Sequence, residues 1–164
     1  MMIIRKTILS DIDVLMEIFS YARQFMARTG NANQWIDGYP SRDFIADEIL
    51  RGNSYVCSNN KGRIIGTFAF IIGDDPTYHI IEGGNWLNDK PYGVVHRLAS
   101  NGSIKGVGEF CFNWCESQIG NIRVDTHSDN IVMRHLLEKL GFTYCGIIYC
   151  HNGTPRLAYQ KTTN

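Results

Sequence analysis

The sequence predicts a three-layer α+β fold, with a mixed, mostly antiparallel sheet of about seven strands and helices on both faces. Three observations predict it. Strand-like runs cluster between helix-like ones rather than alternating with them one by one, which favours antiparallel pairing. Turn residues at Asn60 to Gly62 and at Asn152-Gly153 join apolar runs as hairpins. One strand–helix–strand stretch, from "VVHRLAS" to "NIRVD", requires a single parallel step. The 164 residues hold no repeat, low-complexity tract or linker, so residues 1–164 read as one domain able to bury a real core.

In order, "MIIRKT" is a short opening strand, and Ser10 with Asp13 reads as a helix cap with an acidic first turn. Ile12, Leu15, Ile18, Phe19, Ala22 and Phe25 recur at helical spacing, and Thr29-Gly30 supplies the stop. "NANQWIDGYP" is a loop, and Ser41 opens a shorter helix carrying Phe44, Ile45, Ile49 and Leu50. "SYVCS" and "RIIGTFAFII" form a hairpin, "YHIIEG" continues the strands, and "GNWLNDKP" is irregular before the strand "YGVVHRLAS". A glycine loop then opens a helix with Val107, Phe110, Cys111, Trp114 and Gln118 on one stripe. "NIRVD" is a strand, and "SDNIVMRHLLEKLGF" is a helix capped by Ser128 or Asp129 and ended by Gly141. "TYCGIIYC" and "RLAYQK" close the chain as a hairpin.

Lys plus Arg and Asp plus Glu number 16 each, so the formal charge is zero. That balance excludes a polyanion-binding stripe, and no nucleic acid is expected as a partner; a local pocket for one small anion remains open. A charge follows the first four apolar residues, too early for a signal-peptide core, and no apolar run has the length of a membrane span. No membrane partner and a cytoplasmic location are therefore expected. The five cysteines, at 57, 111, 115, 145 and 150, contain no C-x-x-C and read as reduced buried thiols. Cys145, Cys150 and His151 lack metal-ligand spacing, and no metal is expected.

The stretch "ASNGSIKGVGEFCFNWC" places Gly102, Gly106 and Gly108 just ahead of a helix. Such a loop lets consecutive N–H groups point inward, and the helix N-terminus adds unpaired donors, so a phosphate fits by geometry, with Lys105 as a supplement. Glu109 and Phe110 follow Gly108, which rules out a Walker loop. Six residues separate Ala99 from Gly106, too many for a dinucleotide fold, whose first glycine follows its strand almost at once.

"SIKGVG", Ser103 to Gly108, lies on the pattern [RQ]-x-x-G-x-[GA], and "DNIVMRHLLEKLGF" on N-x-x-A-x-x-L-Y-x-K-x-G-F through Asn130, Leu136, Lys139, Gly141 and Phe142. With these two motifs at the correct separation, the chain resembles the GNAT superfamily of acetyl-CoA-dependent N-acetyltransferases over essentially its full length. The resemblance implies an acetyl group moved from acetyl-CoA to an amine by direct attack in a ternary complex. It implies cofactor contacts from the backbone around Arg97, Leu98 and Ala99, from the loop residues Ser103, Ile104, Lys105, Gly106, Val107, Gly108 and Glu109, and from Asn130, Met133 and Leu137. Ser103 stands where the family has Arg or Gln, and Leu137 where it commonly has the Tyr that protonates the departing thiolate. The alternative is a non-catalytic acyl-CoA-binding module of the same fold, acting as a sensor or structural partner. A cysteine hydrolase lacks an ordered nucleophile turn.

The attacking nitrogen must be neutral, so a base has to take its proton. His96 on the strand beside the expected thioester, His127 and Asp125 in "DTHSDN", and Glu82 are the candidates. Tyr144 is the nearest chemical substitute for the missing acid. Trp35, Tyr39, Trp86 and Tyr92 are large aromatics in otherwise polar or glycine-rich loops and suggest an acceptor pocket for a small-molecule or peptide amine. The "QWIDGYP" stretch also resembles a group of small bacterial GNAT proteins. A homodimer is left open.

Overall fold

A computed structural model describes residues 1–163; Asn164, the last residue of the expected domain, lies outside the described residues. The strands are β1 (Ile3–Lys6), β2 (Ser54–Ser58), β3 (Ile64–Ile72), β4 (Gly93–Ser100), β5 (Asn121–Thr126), β6 (Thr143–Tyr149) and β7 (Pro155–Thr162). They form one sheet in the order β1-β2-β3-β4-β5-β7-β6. Every pairing is antiparallel except β4 with β5. The helices are α1 (Ile12–Arg28), α2 (Arg42–Leu50), α3 (Val107–Gln118) and α4 (Ile131–Lys139). Fold class, strand number and the single parallel step agree with the sequence reading.

One face of the sheet is covered by α1 and α2, whose Leu15, Phe19, Ile45 and Ile49 are buried with Val56. On the other face Cys111 and Phe112 of α3 and Leu137 of α4 pack against Phe68, Val95 and Val124. A third buried group, Tyr78, Tyr92, Val94, Ile148 and Ala158, lies beneath the irregular segment 73–92. Four of the five cysteines are buried, and all five are free thiols. Burial pushes the thiols of Cys115, Cys145 and Cys150 up, away from the nucleophilic thiolate.

Four local expectations are corrected. "YHIIEG" is not a strand: Pro76–Tyr78 is a short 3-10 turn, and only Glu82 bridges to β6, at Ile147. Tyr78 is buried in the core while Ile80 is exposed, so the apolar residues serve anchoring rather than an alternating face. The close approach to β6 needs glycines. A Cβ on Gly84 would stand 2.0 Å from the Cys145 carbonyl oxygen, and one on Gly146 2.6 Å from that of Glu82. Ser10 does not cap α1: it lies in the 3-10 turn Leu9–Asp11 that leads into the helix, and the Asp11 carboxylate closes that turn by accepting from the Ile8 amide at 2.9 Å. Asn130 rather than Ser128 or Asp129 caps α4, accepting from the Met133 amide at 3.0 Å. On α3 the buried stripe is Val107, Cys111, Phe112 and Cys115; Gln118 is exposed.

Candidate active site

The two parallel strands pair only at Gly93↔Ile122 and Val94↔Arg123, and then part. On its other edge β4 carries a bulge: Ala69 faces His96 and Thr67 faces Ala99, so Arg97 and Leu98 together oppose Phe68. Arg97 has φ +52°, a left-handed conformation unusual for a residue with a Cβ. Such a conformation costs on the order of 1–3 kcal/mol and persists where surroundings over-determine it. Here the guanidinium is held by Glu48 at 2.5 Å and the Tyr39 hydroxyl at 3.0 Å, and lies 4.8 Å from the Phe44 ring centre.

Between the diverging strands lies a cavity of about 310 Å³. Leu98, Ala99 and Thr126 wall it, Phe25 and Trp35 close one side, and Gly108 with Met133 the other. Lining residues come from both faces of the sheet, so the cavity is a slot through it.

At one end of the slot stands the glycine loop. Gly106, at φ +86°, is the cap residue of α3, a conformation that glycine adopts without the penalty of a side chain. The Ser103 amide is consumed internally by Asn101 Oδ1 at 3.0 Å. The first helical bond runs from Phe110 to Gly106, and among the described residues the amides of 104–109 have no acceptor. These are the donors that an anion completes. Gly108 lets α3 approach α4: a Cβ there would sit 2.9 Å from Leu136 Cδ2.

Of the residues expected around a cofactor, Arg97, Leu98, Ala99, Val107, Gly108, Asn130 and Met133 line the slot. Ser103, Ile104, Lys105, Gly106 and Glu109 belong to the loop and first helical turn at its end, with Glu109 3.6 Å from Lys139. Leu137 does not line it: its side chain is fully buried in the core beneath α3 and α4, and Leu136 faces the slot instead. Asn130 also donates to Gln34 Oε1 at 3.0 Å, which ties the loop after α1 across the slot.

Of the base candidates, Asp125 lines the slot. Its Oδ1 accepts from the Tyr78 hydroxyl at 2.7 Å. His96 is half-buried on β4, its Nε2 3.2 Å from Asp75 Oδ2. Burial pushes the Asp75 carboxyl up, but the hydrogen bonds from His96 and Thr77 outweigh that and hold it at about 2. His127 is turned into the strand-to-helix turn, where its Nδ1 accepts from the Asp129 amide at 3.0 Å. Glu82 lies at the β6 edge, accepting from the Tyr149 hydroxyl at 3.0 Å. Tyr144, also on β6, is half exposed and packs edge-on against Tyr159. The fold does not bring Glu82 or Tyr144 to the slot, because β7 separates β6 from β5.

Of the four aromatics, Trp35 lines the slot and packs 6.3 Å from Tyr39. Trp86 and Tyr92 do not reach it. They enclose the buried Arg123 guanidinium at 4.3 Å and 4.0 Å and so anchor segment 73–92 to the sheet. Buried amides finish that anchor: Gln160 accepts from the Leu87 amide and donates to Asn121, and Asn121 donates to the Pro91 carbonyl. The segment presents Asp75 and Tyr78, two residues that sequence reasoning missed. Inside an assumed strand Tyr78 looked like one more apolar position.

The site thus combines a splayed parallel pair, a bulged fourth strand and an anion-ready helix start. No family-level sequence model and no curated sequence matches the chain; the likeness is carried by solved structures. A GNAT-family acetyltransferase from Streptococcus agalactiae is 37% identical, with a TM-score of 0.88, over 99% of this chain and 96% of that one. The chain therefore belongs to the GNAT family of acetyltransferases. A GNAT-family acetyltransferase from Listeria monocytogenes, 18% identical over 98% of this chain and 94% of that one, shares the fold at a TM-score of 0.72. So does a protein from Salmonella typhimurium solved with its cofactor acetyl-CoA, 17% identical over 99% and 94% of the two chains, at 0.60. Among the described residues no helix is long and apolar enough to cross a membrane, and no cluster of three His, Cys, Asp or Glu could hold a metal ion.

Proposed function

We propose that this protein transfers an acetyl group from acetyl-CoA to the amino group of a small molecule or peptide by direct attack within a ternary complex. The observation that carries the reading is the slot itself: a through-sheet opening with unpaired amides at one end and a carboxylate on its wall. The residues present fit the cofactor. The amides of 104–109 suit its diphosphate, and Thr126 Oγ1, buried in the slot wall and without a partner among the described residues, suits a polar atom of its arm. When bound, acetyl-CoA supplies an activated acyl group as a thioester.

Everything else falls to the chain. The bulge at Arg97 and Leu98 turns β4 backbone out of register with β3, which supports a role for its amides in polarising the acyl oxygen. The slot walls hold the amine against the acyl carbon, converting a bimolecular encounter into an oriented one. The nitrogen forms the new bond as the carbon–sulfur bond breaks, and its proton passes to Asp125 or, through water, to His96. A thiol with an ordinary pKa near ~8.5 leaves without a dedicated acid, so Leu137 in place of Tyr is compatible with turnover.

Calorimetric titration with CoA tests the cofactor, and thiol release with a panel of amines tests the transfer. Binding plus thiol release supports the reading. Absence of CoA binding at millimolar concentration would overturn it.

A further inference from the structure

Arg97 and Asp125 line the slot, whereas Arg123, Arg156 and Asp75 do not, and the engagements of the five differ. Arg97 is spent on Glu48 and Tyr39. Arg123 is enclosed by Trp86 and Tyr92 and donates from Nη2 to the Asn88 carbonyl, and its buried Nε has no partner among the described residues. Arg156 donates to Thr154 Oγ1 and to the carbonyls of Pro155 and Gln34. Both Asp75 oxygens are taken, by Thr77 and by His96.

Asp125 is different. Tyr78 holds Oδ1, and among the described residues nothing donates to Oδ2, although the residue lines the slot. Tyr78 is a fixed donor: burial, together with the neighbouring Asp125 charge, pushes its phenol far up, so it keeps its proton and orients the carboxylate. The next residue in β5 points to a ligand on the other face of the sheet. Thr126 is 1% exposed and lines the same slot, and among the described residues its Oγ1 has no hydrogen-bond partner. A buried hydroxyl left so is unfavourable until something completes it. Alternation along β5 puts Thr126 on the α3–α4 face, where the cofactor arm would run, and Asp125 on the opposite face, where an acceptor would enter.

Resting on the acetyl-transfer reading, we propose that Asp125 seats the acceptor as its ammonium, and that the acceptor is an aliphatic amine with no anionic group at its reacting end. An ammonium offers a donor to Oδ2 and a charge that the carboxylate favours. A carboxylate or phosphate beside the amine would meet Asp125, and would find the guanidinium that lines the slot, that of Arg97, already engaged by Glu48 and Tyr39. The same Oδ2 is free to take the proton lost before attack. The N–H bond breaks, its electron pair stays on nitrogen, and Asp125 becomes the acid.

The test is calorimetry on the CoA complex with two probes, 1,4-diaminobutane and O-phosphoethanolamine, on the wild type and on Asp125→Asn, which keeps the side-chain shape and an acceptor for Tyr78. Diaminobutane binds the wild type at least tenfold tighter than phosphoethanolamine. Asp125→Asn weakens diaminobutane at least tenfold and leaves CoA affinity unchanged. Equal or tighter binding of phosphoethanolamine, no binding of diaminobutane, or an unaltered affinity in Asp125→Asn would overturn the proposal while CoA binding survives. Loss of CoA binding by the wild type would instead overturn the reading beneath it. The two-probe comparison on the wild type stands even if the variant does not fold.

Discussion

Replacing Arg123 by Met removes the charge that fastens segment 73–92 to the sheet while keeping most of the side chain's length. In the structure the guanidinium lies 4.3 Å from the Trp86 ring centre and 4.0 Å from that of Tyr92, and its Nη2 donates to the Asn88 carbonyl at 2.7 Å. A desolvated cation–π contact is worth about 2 kcal/mol, and two on one cation add to less than double. Orphaning the Asn88 carbonyl costs ~1–3 kcal/mol. Against these stands the relief of no longer burying a charge, since removing a buried cation recovers several kcal/mol of solvation. The net loss is about 2–3 kcal/mol, which in a chain of this size lowers the melting temperature by roughly 5–10 °C. Because the loosened segment carries Tyr78 and Asp75 but none of the amides of 104–109, turnover falls while CoA affinity holds. Thermal melting followed by circular dichroism, with calorimetry against CoA, checks both. A melting temperature within a degree of wild type, or a loss of CoA affinity as large as the loss of turnover, would refute the assignment of Arg123 as the anchor.

Gly108→Val wedges a branched side chain at the position where even a Cβ stands 2.9 Å from Leu136 Cδ2. CoA affinity should drop at least tenfold by calorimetry while the far-ultraviolet spectrum keeps its shape. Thr126→Val removes the unpartnered hydroxyl without changing shape. The free protein should gain about 1 kcal/mol in a urea melt while its affinity for CoA falls, a split that a purely structural residue does not produce. Asp75, held at about 2 in the folded chain, lies below the ordinary carboxylate value. Its contribution to stability is therefore complete above about pH 4 and is lost as the pH falls towards about 2. In His96→Ala that part of the acid denaturation curve flattens.

The framework was legible because it is written in periodicity and turn chemistry. Leu15, Phe19 and Ala22 at helical spacing gave α1, Ser41 marked the start of α2, and Asn152-Gly153 marked the last hairpin. The glycine loop was legible too, since Gly106 and Gly108 ahead of an apolar helix have few other uses. Segment 73–92 was not. Its order comes from Arg123, Asn121 and Gln160, residues distant in sequence whose polar side chains look like surface until the sheet buries them. For the same reason Trp86 and Tyr92 read as ligand-facing aromatics when they enclose an arginine of their own chain. Asp125 was visible as a candidate, but the tyrosine that orients it was hidden inside an imagined strand. Leu137 was placed by its motif position, and a one-residue rotation of the helix decided that Leu136 faces the opening instead.

With two rungs joining β4 to β5, the sheet is mechanically a pair of panels, β1 to β4 and β5 to β7, meeting at a short seam. Main-chain bonding sets the spacing inside each panel but not the gap beyond the seam. That aperture is governed by side chains that cross it, Gln34 to Asn130 on one flank and Tyr78 to Asp125 on the other. A substitution at any of these four positions is therefore an adjustment of gauge, felt by whatever threads the gap even when it touches none of them.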